Sequence, residues 1–148
     1  MNGIILIGLQ ASGKSTFFKS HFYKTHLRLS MDMLKTRHRE KILFNACLEA
    51  KQPVVIDDTN PTVKDRQRYI NAFKEHKFEV AGYSFESSIE DCLKRNELRK
   101  GKERIPDVGL KGTFNKLELP NYSERFDKLY YVTMDKEGFK VEEWKNEV

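Results

Sequence analysis

No stretch of this sequence is apolar enough to cross a bilayer. Its longest apolar runs, IILI at 4–7 and VVI at 54–56, fall far short of the ~20 residues a spanning helix needs. The opening residues MNGI bring no basic region ahead of the apolar segment, and no small-residue cleavage site follows. No secretion signal is therefore expected. Cysteine is scarce: Cys47 and Cys92 stand far apart and match no metal-ligand spacing, so reduced thiols in a cytoplasmic protein are the expectation. His21, His26, His38 and His76 form no metal pattern either. Internal repeats and low-complexity segments are missing, which excludes a repeat array.

What is present is one domain's worth of chain, 148 residues with 39% hydrophobic and 33% charged side chains. The net charge is +5, compatible with a polyanionic partner because lysine and arginine gain affinity by displacing counterions from phosphates. Many small basic proteins bind no nucleic acid, so charge alone does not decide the partner. Apolar runs at 3–7, 25–30, 53–58, 78–85 and 128–134 predict five strands. Helices are expected near 14–23, 35–50, 62–75 and 87–99, with Thr62 and either Ser87 or Ser88 as caps. Strands alternating with helices imply an α/β fold: a mostly parallel sheet of about five strands, covered on both faces. The segment RKGKERIPD reads as a basic lid loop at about 99–106, before a weak helix around 107–117 loosened by Gly109 and Gly112. Residues 135–148 read as an extra hairpin or short helix.

The stretch GLQASGKST completes the pattern G-x-x-x-x-G-K-[ST] between the first strand and the first helix. Glycines let successive N–H groups turn inward, and the helix N-terminus adds positive potential, so Gly8, Leu9, Gln10, Ala11, Ser12, Gly13, Lys14, Ser15 and Thr16 form a phosphate cradle. Lys14 is placed for the β- and γ-phosphates and the Ser15 hydroxyl for magnesium. The donor is expected to be ATP, with GTP left open.

Ligands of open parallel sheets sit beyond the carboxyl ends of the strands. After the second strand comes SMDMLK; a helix starting there puts Asp32 and Lys35 on one face of its first turn. Asp32 then suits a general base and Lys35 a substrate phosphate, although aspartate before a helix is also a common cap. After the third strand comes DDTN. Asp57 or Asp58 suits a carboxylate that holds magnesium through water, while the same residues are also turn formers. Arg95 and Arg99 are one helical turn apart, and a guanidinium there can stabilise charge on a transferring phosphoryl group. The competing reading is a solvated basic face; Lys100, Lys102 and Arg104 fit general electrostatics.

Together GLQASGKST, SMDMLK, VVIDDTN followed by a helical arginine, LKRNELRKG and RIP resemble the kinase domain of 5′-polynucleotide kinases of the phage and RNA-repair type. The resemblance spans about residues 1–117 and the fifth strand. It implies a three-layer P-loop kinase fold and a nucleic-acid 5′-hydroxyl as acceptor, with Asp32 as the base. It further implies that Asp58 and Thr59 serve the acceptor side, Arg99 clamps the transferring phosphate and Arg95 lies beside the nucleotide. Lys35 stands where the family usually has an arginine on the acceptor's own phosphate, and lysine lacks the bidentate fork. The phosphatase and ligase modules of larger relatives do not lie within these residues. Two other classes fit the same loop: a small-molecule kinase, and a nucleotide-dependent switch or adaptor that phosphorylates no acceptor.

Overall fold

A computed structural model describes residues 1–145; residues 146–148 and the side chain of Lys102 lie outside that description. One sheet of six strands has the order β2-β3-β1-β4-β5-β6. The strands are β1 Asn2–Ile7, β2 Leu27–Leu29, β3 Val54–Asp57, β4 Glu79–Phe85, β5 Lys128–Asp135 and β6 Gly138–Glu143. The first five run parallel, and β6 returns antiparallel beside β5 with Val132 opposite Val141. Mostly parallel architecture is as expected; the sixth strand comes from the segment that read as either a hairpin or a short helix. That strand supplies the structure of the 135–148 segment up to residue 145: a hairpin, with Trp144 buried and edge-on to Tyr131.

β1 is apolar on both faces because both faces are covered. Ile5 and Ile7 pack with residues of α3 (Arg37–Ala50) and α4 (Val63–Glu75), among them Leu48, Ile70 and Phe73. Ile4 and Leu6 pack instead with Phe17 and Phe18 of α1 (Lys14–His21). Each such side chain contributes roughly 1.5–3 kcal/mol when fully buried. Gly3 permits the approach of α4, since a Cβ there would lie 2.3 Å from the Phe73 ring. Thr62 caps α4, accepting from the Asp65 N–H at 3.1 Å. Ser88, of the two candidate serines, caps α5 (Ile89–Glu97).

One expected helix is two. The chain forms a four-residue helix α2 (Met31–Leu34), turns at Lys35 with φ +72°, and restarts as α3 after Thr36, which accepts from the Arg39 N–H. Asp32 and Lys35 therefore do not share a helical face. The physical reason is local: Thr36 offers its hydroxyl to an otherwise unpaired N–H, and that cap competes with helix continuation.

A smaller core joins the lid to the loop after β1. Leu9, Cys92 and Leu110 are buried together, with Ile89, Leu93 and Ile105 against them. Leu110 belongs to α6 (Asp107–Lys116), which the sequence reading expected as a weak helix. Between α5 and α6 the chain makes a 3-10 turn at Gly101–Glu103. The buried Asn96 side chain pins this excursion, donating to the Ile105 carbonyl at 2.7 Å and accepting from its N–H at 3.0 Å.

Candidate active site

The loop between β1 and α1 enters the helix through Gly13, whose φ of +99° lies in the left-handed region. A Cβ at Gly13 would also meet Met134 and Phe139 of the β5–β6 hairpin at 3.1 and 3.2 Å. Both constraints select glycine. Gly8, Leu9 and Ser12 are buried beneath the loop. Gln10, Ala11, Gly13, Lys14, Ser15 and Thr16 line a cleft of about 280 Å³.

The opposite walls come from the ends of β2 and β3 and from the lid. Asp32, Asp57, Asp58, Thr59 and Arg99 all line the same cleft, together with Met31 and Arg37. Asp32 is exposed and, among the described residues, forms no ion pair. Lys35 is exposed and outside the lining set. Arg95 is outside it too: its Nη1 donates to the Ala11 carbonyl at 3.1 Å and so braces the loop from the lid side.

The two adjacent aspartates separate cleanly. Asp57, the last residue of β3, is buried, and its Oδ2 accepts from the Ser15 hydroxyl at 3.1 Å. Asp58, one residue on, accepts from the Met31 N–H at 2.9 Å and fixes the start of α2. Burial pushes the Asp58 carboxyl up to about 6, with Glu40 and Asp57 adding to the Met31-opposed rise. Among the described residues its buried Oδ2 has no hydrogen-bond partner.

Arg37 is the cleft residue the sequence reading missed. Its Nη1 donates to both oxygens of the buried Glu40 at 3.0 and 3.1 Å, and the Tyr69 hydroxyl also donates to Glu40. The guanidinium is thus aimed by a fixed carboxylate while its side chain stays 56% exposed. The signal lay inside the run KTRHREK, where five of seven residues at 35–41 are basic, counting histidine. Such a run reads as a solvated face unless its geometry is known.

Scaffolding, not chemistry, explains the asparagine and arginine around the DTN motif. Asn60 donates to the Leu6 carbonyl at 2.8 Å, and the Thr59 carbonyl accepts from the Gly8 N–H at 3.0 Å. Arg66, fully buried on α4, donates to the Asn60 carbonyl at 2.9 Å and to both oxygens of Glu124 at 2.8 and 3.1 Å. The phosphate loop is therefore held at its first glycine by a chain of bonds that ends in a buried ion pair.

A family profile described as AAA domain matches residues 4–116. The chain belongs to this family. Its similarity to characterised proteins runs to the bifunctional polynucleotide phosphatase/kinase of Schizosaccharomyces pombe, 27% identical over 87% of this chain. A putative bifunctional polynucleotide phosphatase/kinase of Acanthamoeba polyphaga mimivirus is 30% identical over 96% of it. The chain spans about a third of the length of each, 33% and 36%. The L-seryl-tRNA(Sec) kinase of Methanococcus maripaludis is 28% identical over 89% of this chain and 58% of its own length. In fold, the AAA domain is like a gluconokinase from Sinorhizobium meliloti, with TM-score 0.64 and 17% identity over 89% of this chain and 82% of that one. The AAA domain is thus a P-loop kinase fold similar to polynucleotide kinases.

The chain's residues fit a nucleotide phosphate with magnesium. Left-handed backbone at Gly13, an N-terminal helix end and an invaginated lysine are the parts of an anion cradle. Ser15 Oγ and Asp57 Oδ2 are adjacent oxygens of the kind a hard cation takes, and these two residues would hold it. When bound there, magnesium supplies positive charge against the phosphate oxygens. Among the described residues no group of three or more His, Cys, Asp or Glu is placed to hold a metal alone. No helix among them is long and apolar enough to cross a membrane.

Lys14 folds back into its own loop. Its Nζ donates to the carbonyls of Gly8 at 3.0 Å and Leu9 at 2.6 Å. Burial pulls its ammonium down to about 8, and Arg99 adds to the fall while Asp57 opposes it. Phosphate oxygens favour the charged form, so a lysine that is partly neutral above pH 8 must take up a proton on binding. Below pH 8 it is already charged and this linkage vanishes. ADP affinity is expected to fall by up to about tenfold per pH unit above 8. Calorimetry in buffers of different ionisation enthalpy should register proton uptake near pH 9, and zero uptake would contradict the assignment.

Proposed function

We propose that the chain is an ATP-dependent phosphotransferase that moves the γ-phosphate to the 5′-hydroxyl of a polynucleotide. One observation carries the reading: the free carboxylate of Asp32 lines the same cleft as Lys14, Ser15 and Arg99. A base, a phosphate cradle and a lid guanidinium around one space are the parts that in-line phosphoryl transfer needs.

In this scheme Asp32 accepts the proton of the attacking hydroxyl. Lys14 and the loop N–H groups hold the donor phosphates, and Arg99 meets the charge spread over the transferring group. Ser15 and Asp57 hold magnesium. Arg37, aimed by Glu40, takes the acceptor's own phosphate in place of Lys35, and its guanidinium restores the fork that lysine lacks. Asp58 and Thr59 order the acceptor from the third strand end. Lys35, His38, Arg39 and Lys41, exposed at and before the start of α3, give Arg37 basic neighbours that would favour a strand's phosphates. Two relatives named as polynucleotide phosphatase/kinases support this acceptor. The relative named as a seryl-tRNA kinase supports a second reading, a hydroxyl carried on RNA elsewhere than at its 5′ end.

The test is incubation with γ-labelled ATP and a panel of 5′-OH DNA, 5′-OH RNA, serine-charged tRNA, nucleosides and gluconate. Label is expected on the 5′-OH strands, with KM for the strand rising with salt and rising further in Arg37→Ala while KM for ATP holds. Label confined to gluconate or to nucleosides, insensitive to salt, would replace the polynucleotide reading with a small-molecule one. ATP hydrolysis with no labelled acceptor would make the chain a switch.

A further inference from the structure

Arg28, on the edge strand β2, sits where the magnesium reading needs space. Its Nε donates to Asp57 Oδ2 at 2.6 Å, and its Nη2 donates to Ser15 Oγ at 3.0 Å. Ser15 Oγ in turn donates to the same Asp57 oxygen at 3.1 Å, so three groups close one hydrogen-bonded ring. The Asp57 side chain is 2% exposed and that of Arg28 25%. The Phe18 ring lies 6.0 Å from the guanidinium carbon and backs it.

The ring answers one electrostatic problem and creates another. A carboxylate this buried is costly without a counter-charge, and Lys14 is engaged with loop carbonyls instead. Arg28 supplies the charge. Yet Ser15 and Asp57 are the two oxygens that suit the metal, and a divalent cation cannot share them with a guanidinium bonded to the same atoms. Among the described residues no group of three His, Cys, Asp or Glu is placed to hold a metal, so the rest of a cation's shell would come from water and from phosphate oxygens, which favour loading together with nucleotide.

We propose that Arg28 is a resident counter-cation on the Ser15–Asp57 pair, displaced only when a metal arrives together with a nucleotide. Arg28 then keeps the free site neutral and prevents metal from loading ahead of nucleotide. It stands on the edge strand with its side chain already a quarter exposed, so displacement would carry it toward solvent. The proposal rests on the phosphate-loop reading and is independent of the acceptor.

ADP binding, measured by calorimetry with magnesium and with EDTA, tests it in the wild type, Arg28→Gln, Asp57→Asn and the double variant. Removing Arg28 leaves Asp57 bare, so metal-free ADP binds more weakly and magnesium·ADP binds at least as tightly as to the wild type. The ratio of the two affinities is expected to grow roughly tenfold or more, and the gain to disappear in the Asp57→Asn background. In the wild type, the Arg28 Nε–H resonance should keep its hydrogen-bonded shift with ADP and EDTA and lose it when magnesium is added. An equal loss of affinity in both conditions would make Arg28 a phosphate contact and overturn the proposal. An Arg28 resonance indifferent to magnesium would overturn it as well, and this measurement stands even if Arg28→Gln melts early. A wild-type chain that binds ADP in neither condition overturns the phosphate-loop reading, and this proposal with it.

Discussion

Asp32→Ala is expected to slow phosphoryl transfer by roughly 10²–10⁴-fold, the range for a positioned general base. The Asp32 side chain is exposed and forms no ion pair among the described residues, so the fold should tolerate its loss. ADP affinity and melting temperature should therefore stay within error of the wild type. That combination, kcat lost with donor binding intact, is what separates a base from a cap or a metal helper. If Asp32→Ala transfers phosphate at the wild-type rate, the hydroxyl loses its proton elsewhere and the acceptor scheme must be redrawn. If ADP affinity falls in step with rate, Asp32 belongs to the donor side.

Arg66→Ala is expected to have the largest effect on stability. It strands Glu124, a buried carboxylate, and removes the donor to the Asn60 carbonyl. Breaking one side of a buried pair costs about 3–5 kcal/mol, which for a chain of this length lowers Tm by about 10 °C. Replacing both members, as in Arg66→Met with Glu124→Leu, removes the uncompensated charge and should recover much of the loss. Thermal denaturation of the two variants decides it; a fall of Tm no larger than for a surface substitution would show that the bonds at Asn60 and Gly8 do not depend on Arg66.

These residues also show where sequence reading succeeds. The apolar runs around residues 4–7 and 54–56, the glycine loop, Thr62 and the serine before α5 are local signals, and local physics decides them. The carboxylates after β2 and β3 were found because a parallel sheet dictates where to look. What escaped depends on partners distant in the chain. Arg66 reads as a motif residue until Glu124 is seen beside it, and nothing local singles out Arg28, whose partner Asp57 lies 29 residues on. The turn at Lys35 has no glycine to announce it. For β6 the sequence left hairpin and short helix open; it is mixed in polarity and at an edge, so its pairing with β5 decides for the hairpin.

The clasp between Asn96 and Ile105 limits how the lid can behave. With α5 and α6 tied together there and packed on Leu9, a jaw-like swing of the pair would break these contacts. The short stretch between the clasp's two ends, Arg99 among it, lies outside the clasp. A flap so short relaxes on the nanosecond-to-microsecond scale of loops. Under the proposed transfer such a flap would bring up the Arg99 guanidinium quickly yet leave the cleft largely unroofed, and the acceptor itself would have to displace solvent from the reacting groups.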